Sequence, residues 1–310
     1  MLTVFGSINI DVGVRARRLP GPGETVLGSD ALVAPGGKGA NQAHAAALYG
    51  VPTRMYGMVG NDGFAGPALA KLIAHGVDTT GVGVAKSQST GMALITVDEA
   101  GDNAIVVAPG ANLCAHAWQV PDDVLAESRV LQLQLEVRPG ESLELARRAK
   151  RLGCMVILNA SPMPAGFVLE KDAVDMLIVN RVELDQLCTQ LPAFGIDPMD
   201  KARLASRSLD IDVLVTLGAE GSFLARGDGK TIAAQATSLP VVDTTGAGDT
   251  YAGVFAAAIA LGQSADAAMD AASAAAGLAC MRAGAQVAQP GRAAINAEIE
   301  RRRSLEGRVA

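Results

Sequence analysis

The sequence predicts an α/β protein, with a mainly parallel sheet covered by alanine-rich helices and a small β flap set apart from it. Three observations carry that prediction. From Val130 onward, short apolar strands alternate with helical stretches, the rhythm of a parallel sheet built by right-handed crossovers. The chain is 49% hydrophobic but only 3% aromatic, so its packing rests on Ala, Val, Leu and Ile, which suits buried parallel strands under alanine-rich helices. Two segments, roughly 10–34 and 91–107, break the rhythm with short strands punctuated by Gly and Pro.

Taken in order, the chain opens on an apolar, β-branched strand over Leu2–Ile8. Pro35-Gly36-Gly37-Lys38-Gly39 then starts an alanine-rich helix that reaches about Tyr49. Arg54–Val59 reads as a strand and Phe64–His75 as a helix. The 91–107 stretch reads as a hairpin around an Asp98–Asp102 turn. Strand Val130–Leu135 leads to helix Glu141–Leu152, then to strands Met155–Leu158 and Met176–Val179 and a helix from about Val182. A Pro-containing link, Leu191–Pro198, precedes helix Met199–Leu209 and strand Val213–Leu217. Leu239–Val242 is β-like. Beyond Asp243 the chain reads as helical over Gly246–Leu261, Ala265–Met281 and a basic-ended C-terminal segment. No internal repeat is evident, and 310 residues fit one continuous domain with the two flap segments inserted.

Composition excludes several functions. A net charge of −6 offers no basic footprint for nucleic acid or anionic lipid. The scarcity of aromatics argues against a stacking platform for single strands. No apolar run is long enough to span a bilayer, and no basic leader precedes a long apolar stretch, so a cytoplasmic location is expected. Cys114, Cys154, Cys188 and Cys280 form no Cys-x-x-Cys pair and read as reduced, buried thiols.

The strongest local signal is Asp243-Thr244-Thr245-Gly246-Ala247-Gly248-Asp249, which opens a long helix. Gly246 and Gly248 allow a sharp bend and close approach to a ligand. The N–H groups at the helix start, reinforced by the helix dipole, make an anion hole. Asp249, in the first turn, cannot hold a phosphate itself, but it can accept a proton from an incoming hydroxyl. The competing reading is a glycine turn with Asp249 as a helix N-terminal charge. Gly37-Lys38 is not a Walker loop, because Leu32 stands where that loop needs glycine and Gly39 where it needs Ser or Thr. Tyr251 occupies the third glycine position of a dinucleotide fingerprint, which excludes that motif too.

With Gly6-Ser7-Ile8-Asn9-Ile10-Asp11, Pro22-Gly23-Glu24-Thr25, Gly36-Gly37-Lys38-Gly39-Ala40-Asn41-Gln42-Ala43, Asn180-Arg181-Val182-Glu183 and Thr216-Leu217-Gly218-Ala219-Glu220-Gly221 in the same order, the chain resembles the ribokinase-like (PfkB) carbohydrate kinases. The match covers nearly the whole chain, and the Asn9/Asp11 pair with the Gly-Gly-Lys-Gly-Ala-Asn run points to the ribokinase branch. The resemblance implies a three-layer α/β/α fold with a small β-sheet lid. It implies ATP-dependent transfer to a sugar's primary hydroxyl, most of all O5 of D-ribose. A nucleoside, fructose or 2-keto-3-deoxygluconate kinase of the same family, or a non-catalytic sugar-binding protein, are the alternatives.

The resemblance also implies roles. Asp249 is the base, and Gly246, Ala247 and Gly248 form the anion hole. Asn9, Asp11, Gly37, Lys38, Gly39, Ala40, Asn41 and Glu136 contact the sugar. An Asx turn at Asn9/Asp11, a glycine helix start with Lys38 in solvent, and a solvated strand-end Glu136 are the plainer readings of these residues. Asn180, Thr216, Leu217, Gly218, Ala219, Glu220, Gly221, Gly248 and Ser273 serve the nucleotide. Glu183 serves Mg²⁺ through water, although Asn180 and Glu183 also fit a capping box. Asp243, Thr245, Ala279, Arg282, Gly284 and Ala288 match a K⁺ site, where Ala288 replaces a serine of related proteins and removes one possible ligand. His44, His75 and His116 match no catalytic position. A homodimer through the β lid is expected on the same resemblance.

Overall fold

The computed structural model describes residues 1–189 and 197–309, with side chains through residue 305. Most of the expected Leu191–Pro198 link lies outside the described residues. The first strand, β1 (Leu2–Phe5), is shorter than the Leu2–Ile8 prediction. At Gly6–Ile8 the chain leaves one sheet and enters another as β2 (Asn9–Arg15). Strand β3 (Leu32–Gly36), helix α1 (Lys38–Tyr49), β4 (Thr53–Gly60), α2 (Ala65–Ala74) and β5 (Asp78–Ala85) follow. The hairpin forms as β6 (Gly91–Val97) and β7 (Asn103–Ala108), joined by the expected Asp98 turn.

The regular part comprises α3 (Asp122–Glu127), β8 (Val130–Leu133), α4 (Pro139–Arg151), β9 (Met155–Asn159), β10 (Met176–Asn180), α5 (Arg181–Cys188), α6 (Pro198–Leu209) and β11 (Asp212–Thr216). Proline at the start of α4, with Glu141 in its first turn and Arg148, Lys150 and Arg151 in its last, complements the helix dipole. Strands β12 (Ser222–Ala225) and β13 (Thr231–Ala234) precede α7 (Ala247–Ala260), α8 (Ala265–Ala279) and α9 (Arg292–Val309). The β-like Leu239–Val242 forms no strand. The N–H groups of Val242 and Asp243 go instead to the Cys280 carbonyl beyond α8, at 2.8 and 3.1 Å.

The main sheet has nine strands in the order β13-β12-β11-β10-β9-β8-β1-β4-β5. Only the β11–β12 and β12–β13 pairs are antiparallel. Three of its strands, β5, β12 and β13, are absent from the sequence reading. The second sheet, β3-β2-β6-β7, joins the two segments that break the αβ rhythm. Inward residues alternate along each strand. Leu2 and Val4 of β1 and Leu214 of β11 pack against α1, α7 and α8, whereas Phe5, Val213 and Val215 pack against the α3–α6 side. Helices on both faces of a mostly parallel sheet make the three layers.

Among the described residues no helix is long and apolar enough to cross a membrane. All four cysteines are free, but only Cys154 is buried; the other three are half-buried, which corrects the expectation for them. Burial pushes the Cys154 thiol up to about 12.

Candidate active site

Ligands of open α/β sheets bind beyond the C-terminal ends of the strands. There, the junction of β1 with β2 meets the start of α1. Gly37 caps α1 at φ 88°, and a Cβ there would come within 2.7 Å of the Asn9 nitrogen. A Cβ at Gly39 would lie 2.7 Å from the Ser7 nitrogen. Only glycines let the helix start rest on that bend. The side chain of Ala40 lies in the core, and its N–H donates to the Ser7 carbonyl at 2.9 Å.

Glu136, just past β8, ties the bend together. Its Oε2 accepts from Ser7 Oγ at 2.6 Å and from the Lys38 N–H at 3.1 Å. Asn9 is buried, and its Oδ1 accepts from Asn112 Nδ2 at 2.6 Å, while Asn112 Oδ1 accepts from the Ile8 N–H at 2.9 Å. Asp11, two residues along β2, presses its carboxylate against Gly36, where a Cβ would sit 2.3 Å from both oxygens. Burial, then the nearby Glu136 and Asp249 charges, push the Asp11 carboxyl up to about 6.

Asp249 is buried at the start of α7. Asn41 Nδ2 donates to its Oδ2 at 2.9 Å and Gln42 Nε2 to its Oδ1 at 3.2 Å, and Lys38 Nζ lies 3.9 Å from Oδ1. The Asp249 carboxylate holds the Lys38 ammonium above its usual value against the opposing effect of burial; Glu136 and Glu183 add to the same field.

Across the α7 start lies a cavity of about 330 Å³, lined among others by Thr216, Gly218, Ala219, Gly221, Ala247, Gly248, Ser273, Ala276 and Gly277. The turn after β11 is shaped by Gly218 at φ 60° and Gly221 at φ 91°, where a Cβ would lie 2.2 Å from the Ala234 carbonyl oxygen. Leu217 and Glu220 do not line the cavity. Leu217 N–H closes the turn on the Gly221 carbonyl, and Glu220 pairs with Arg181 at 2.6 Å. Gly246 caps α7 at φ 72° against Ala285.

Asn180 and Glu183 form the capping box of α5: the Glu183 N–H donates to Asn180 Oδ1, and the Asn180 N–H to Glu183 Oε2, each at 2.9 Å. Asp243 draws two loops together. Its Oδ1 accepts from the Thr245 N–H and hydroxyl, and its Oδ2 from the Gly284 N–H at 2.8 Å. Partial burial opposes the charged form of Asp243, but these three donors outweigh it and hold the carboxyl below its ordinary range. The Ala279 carbonyl accepts from the Arg282 N–H, and the Ala288 N–H goes to the Ala285 carbonyl. No hydrogen bond joins Ala288 to Asp243 among the described residues. Nor do three His, Cys, Asp or Glu side chains converge on a metal position there.

The profile of the pfkB family carbohydrate kinases matches residues 1–292. The chain belongs to this family. Its members are phosphotransferases that act on an alcohol group. The ribokinase of Haemophilus influenzae is 35% identical over 94% of this chain and 95% of its own. A crystal structure of Thermotoga maritima ribokinase superimposes with a TM-score of 0.88 at 32% identity, covering 96% of this chain and 99% of that one. Arabidopsis thaliana ribokinase in complex with ribose and ATP gives a TM-score of 0.86 at 31% identity over 96% and 98% of the two chains.

Several residues around the site are not legible in the sequence. Gln132, Gln134, Asn159 and Asn112 were not singled out, nor were the cavity-lining Ala276 and Gly277. One signal was available: Gln132 and Gln134 are polar at alternate positions of Val130-Leu131-Gln132-Leu133-Gln134-Leu135, an otherwise apolar central strand. The histidines do not face the cavity. His44 is buried, with Nδ1 on Gln289 Oε1 at 2.5 Å and Nε2 on His75 Nδ1 at 2.9 Å. Burial outweighs the Gln289 bond and pushes the His44 ring down to about 4.

Proposed function

We propose that the chain transfers the γ-phosphoryl group of ATP to the primary hydroxyl of a sugar, with O5 of D-ribose as acceptor and D-ribose 5-phosphate as product. One observation carries this reading. The first turn of α7 presents Asp249 to Lys38 and Asn41 on one side, while Ala247 and Gly248 line the cavity on the other. A proton acceptor and a phosphate-binding helix start thus share a single turn between two sites.

On the sugar side, Asp11 accepts from hydroxyls, while Asn9, Lys38 and Asn41 supply donors. Gly37, Gly39 and Ala40 bring backbone close to the polyol, and Glu136 fixes that backbone. On the nucleotide side, Thr216, Gly218, Ala219, Gly221 and Ser273, which line the cavity, take the base and ribose, and Asn180, at the start of α5, is the residue proposed for the phosphates. In the transfer, the acceptor hydroxyl's proton passes to Asp249 as the new O–P bond forms and the bond to the ADP oxygen breaks. The N–H groups of Gly246 and Gly248 take up charge on the transferring group, joined by that of Ala247 once it leaves the Thr244 carbonyl, to which it donates at 3.1 Å. The lid, β2 with β3, β6 and β7, closes over the sugar and excludes water, the rival acceptor.

Glu183, whose Oε2 also accepts from the Asn180 N–H, would be the residue to hold Mg²⁺ through water. The ion supplies charge neutralisation to the ATP phosphates. For K⁺, the ionised Asp243 and the carbonyls of Thr245, Ala279, Arg282, Gly284 and Ala288 are the candidate donors, and an ion there would stiffen the loop below the anion hole. A homodimer through the lid would cover edge strand β7, where Ile105, Val106 and Val107 are exposed. The chain is expected to act in the cytoplasm.

The test is ADP release with Mg·ATP and K⁺ against D-ribose, 2-deoxyribose, fructose, ribonucleosides and 2-keto-3-deoxygluconate. Preference for ribose is expected. Preference for another acceptor reassigns the substrate, and no sugar-dependent turnover overturns the kinase reading.

A further inference from the structure

Phosphoryl transfer by the proposed route needs Asp249 fixed and aimed, and the groups that aim it do not belong to its own helix. All three partners of the carboxylate, Lys38, Asn41 and Gln42, stand in the first turns of α1. The two helices touch at Gly253, one turn after Asp249. A Cβ at Gly253 would lie 2.4 Å from the Gln42 carbonyl oxygen and 2.9 Å from Ala45 Cβ. Glycine there lets α1 come near enough to reach the carboxylate.

Gln42 is itself fully buried and held by four groups. Its Oε1 accepts from Gln132 Nε2 at 2.9 Å and from Gln134 Nε2 at 2.6 Å. Its Nε2 donates to Asn159 Oδ1 at 3.0 Å and to Asp249 Oδ1 at 3.2 Å. Asn159 Nδ2 is anchored in turn on the Ile178 carbonyl at 3.1 Å. Turning the Gln42 amide over would set its oxygen against two acceptors and its nitrogen against two donors, so one orientation alone satisfies all four neighbours. The Oε1 atoms of Gln132 and Gln134 are buried and find no partner among the described residues, an arrangement that weakens a core.

We infer that Gln42 is a positioning residue for phosphoryl transfer, its amide locked by Gln132, Gln134 and Asn159 so that one N–H fixes Asp249 Oδ1 toward the acceptor hydroxyl. This rests on the reading of Asp249 as the base. Asn41 holds the other oxygen, so the carboxylate is pinned at two points and cannot rotate away. Gln42 is fully buried and does not line the cavity, so it acts through Asp249. A neutral amide suits the task, because it orients the carboxylate without bringing a second full positive charge beside it.

The test is steady-state kinetics with Mg·ATP and ribose on wild type, Gln42→Met, Asp249→Asn and the double variant. Methionine keeps the length of the side chain and donates nothing. In the wild-type background, kcat is expected to fall by roughly 10- to 100-fold, the scale of a misplaced reacting group, with both KM values within about threefold. In the Asp249→Asn background the same substitution is expected to change kcat by less than about twofold, because nothing remains to be positioned. A merely structural role would move the KM values or lower kcat equally in both backgrounds, and either result overturns the inference. So does a Gln42→Met kcat within about twofold of wild type. If Gln42→Met does not fold, Gln132→Met carries the test, with a several-fold loss of kcat expected that also vanishes beside Asp249→Asn. A wild type that turns over no sugar overturns the kinase reading and this inference together, whereas an active wild type with an unaffected Gln42→Met overturns the inference alone.

Discussion

The two sides of the α7 start are built on opposite principles. On the Asp249 side, buried polar groups fill the space, and Asn41, Gln42, Gln132, Gln134 and Asn159 spend their amides on one another and on the carboxylate. On the cavity side, the lining is mostly small and apolar, with Ala219, Ala236, Leu239, Ala276 and Gly277 among it. The first side resembles a preorganised proton acceptor, whose value depends on direction. The second resembles a shaped slot, whose value depends on volume. A directional site should fail when one atom changes, and a shaped site when space is removed.

The largest expected effect lies on the directional side. Asp249→Asn keeps the shape and the neighbours but cannot take the proton, so kcat should fall by about 10²–10⁴-fold with smaller changes in KM. Single-turnover ADP formation would measure it, and turnover close to wild type would remove the base assignment. A smaller effect is expected across the turn. Ala276→Phe puts a ring into the cavity of about 330 Å³. KM for ATP should rise by roughly tenfold or more, equivalent to losing about 1.4 kcal/mol of binding, while KM for the sugar stays put. A parallel rise in both would show that the two sides are not separable.

The contrast also explains what was legible in the sequence. Glycine turns and helix starts announce themselves, because a positive φ or a close approach tolerates few other residues; Gly37 and Gly246 are legible for that reason, whereas the turn around Gly218 and Gly221 is legible only through the family resemblance. The parallel core was legible from its apolar strands. Strands β12 and β13 were not, since each has four residues and antiparallel edge pairing leaves no αβ rhythm. The glutamine cluster is not legible because its members come from α1, β8 and the segment just past it, and β9, distant in sequence and joined only by the fold. Strand-like Leu239–Val242 misled because exposed Val241 and Val242 satisfy a β pattern without a partner strand.

The final prediction concerns Asp11, where the directional side conflicts with stability. Burial and the neighbouring Glu136 and Asp249 push its carboxyl from 3.8 up to about 6. The folded state therefore keeps a proton that the unfolded chain releases across that window. Stability from this group is full below the unfolded value and lost as pH rises through about 6. At neutral pH the ionised Asp11 should cost the fold about 1–3 kcal/mol, the upper figure being the full shift with no solvent screening. Asp11→Asn should then raise Tm near neutral pH, with the gain shrinking in acid as wild-type Asp11 takes up its proton. The same change should raise KM for the sugar by roughly tenfold or more, because an amide oxygen accepts fewer hydroxyls than a carboxylate. Wild-type KM for the sugar should climb in parallel as pH falls below about 6. Thermal unfolding across pH, alongside sugar KM on the same samples, separates the two effects. A variant no more stable than wild type near neutral pH would show that the lid side of the pocket is open enough to solvate Asp11.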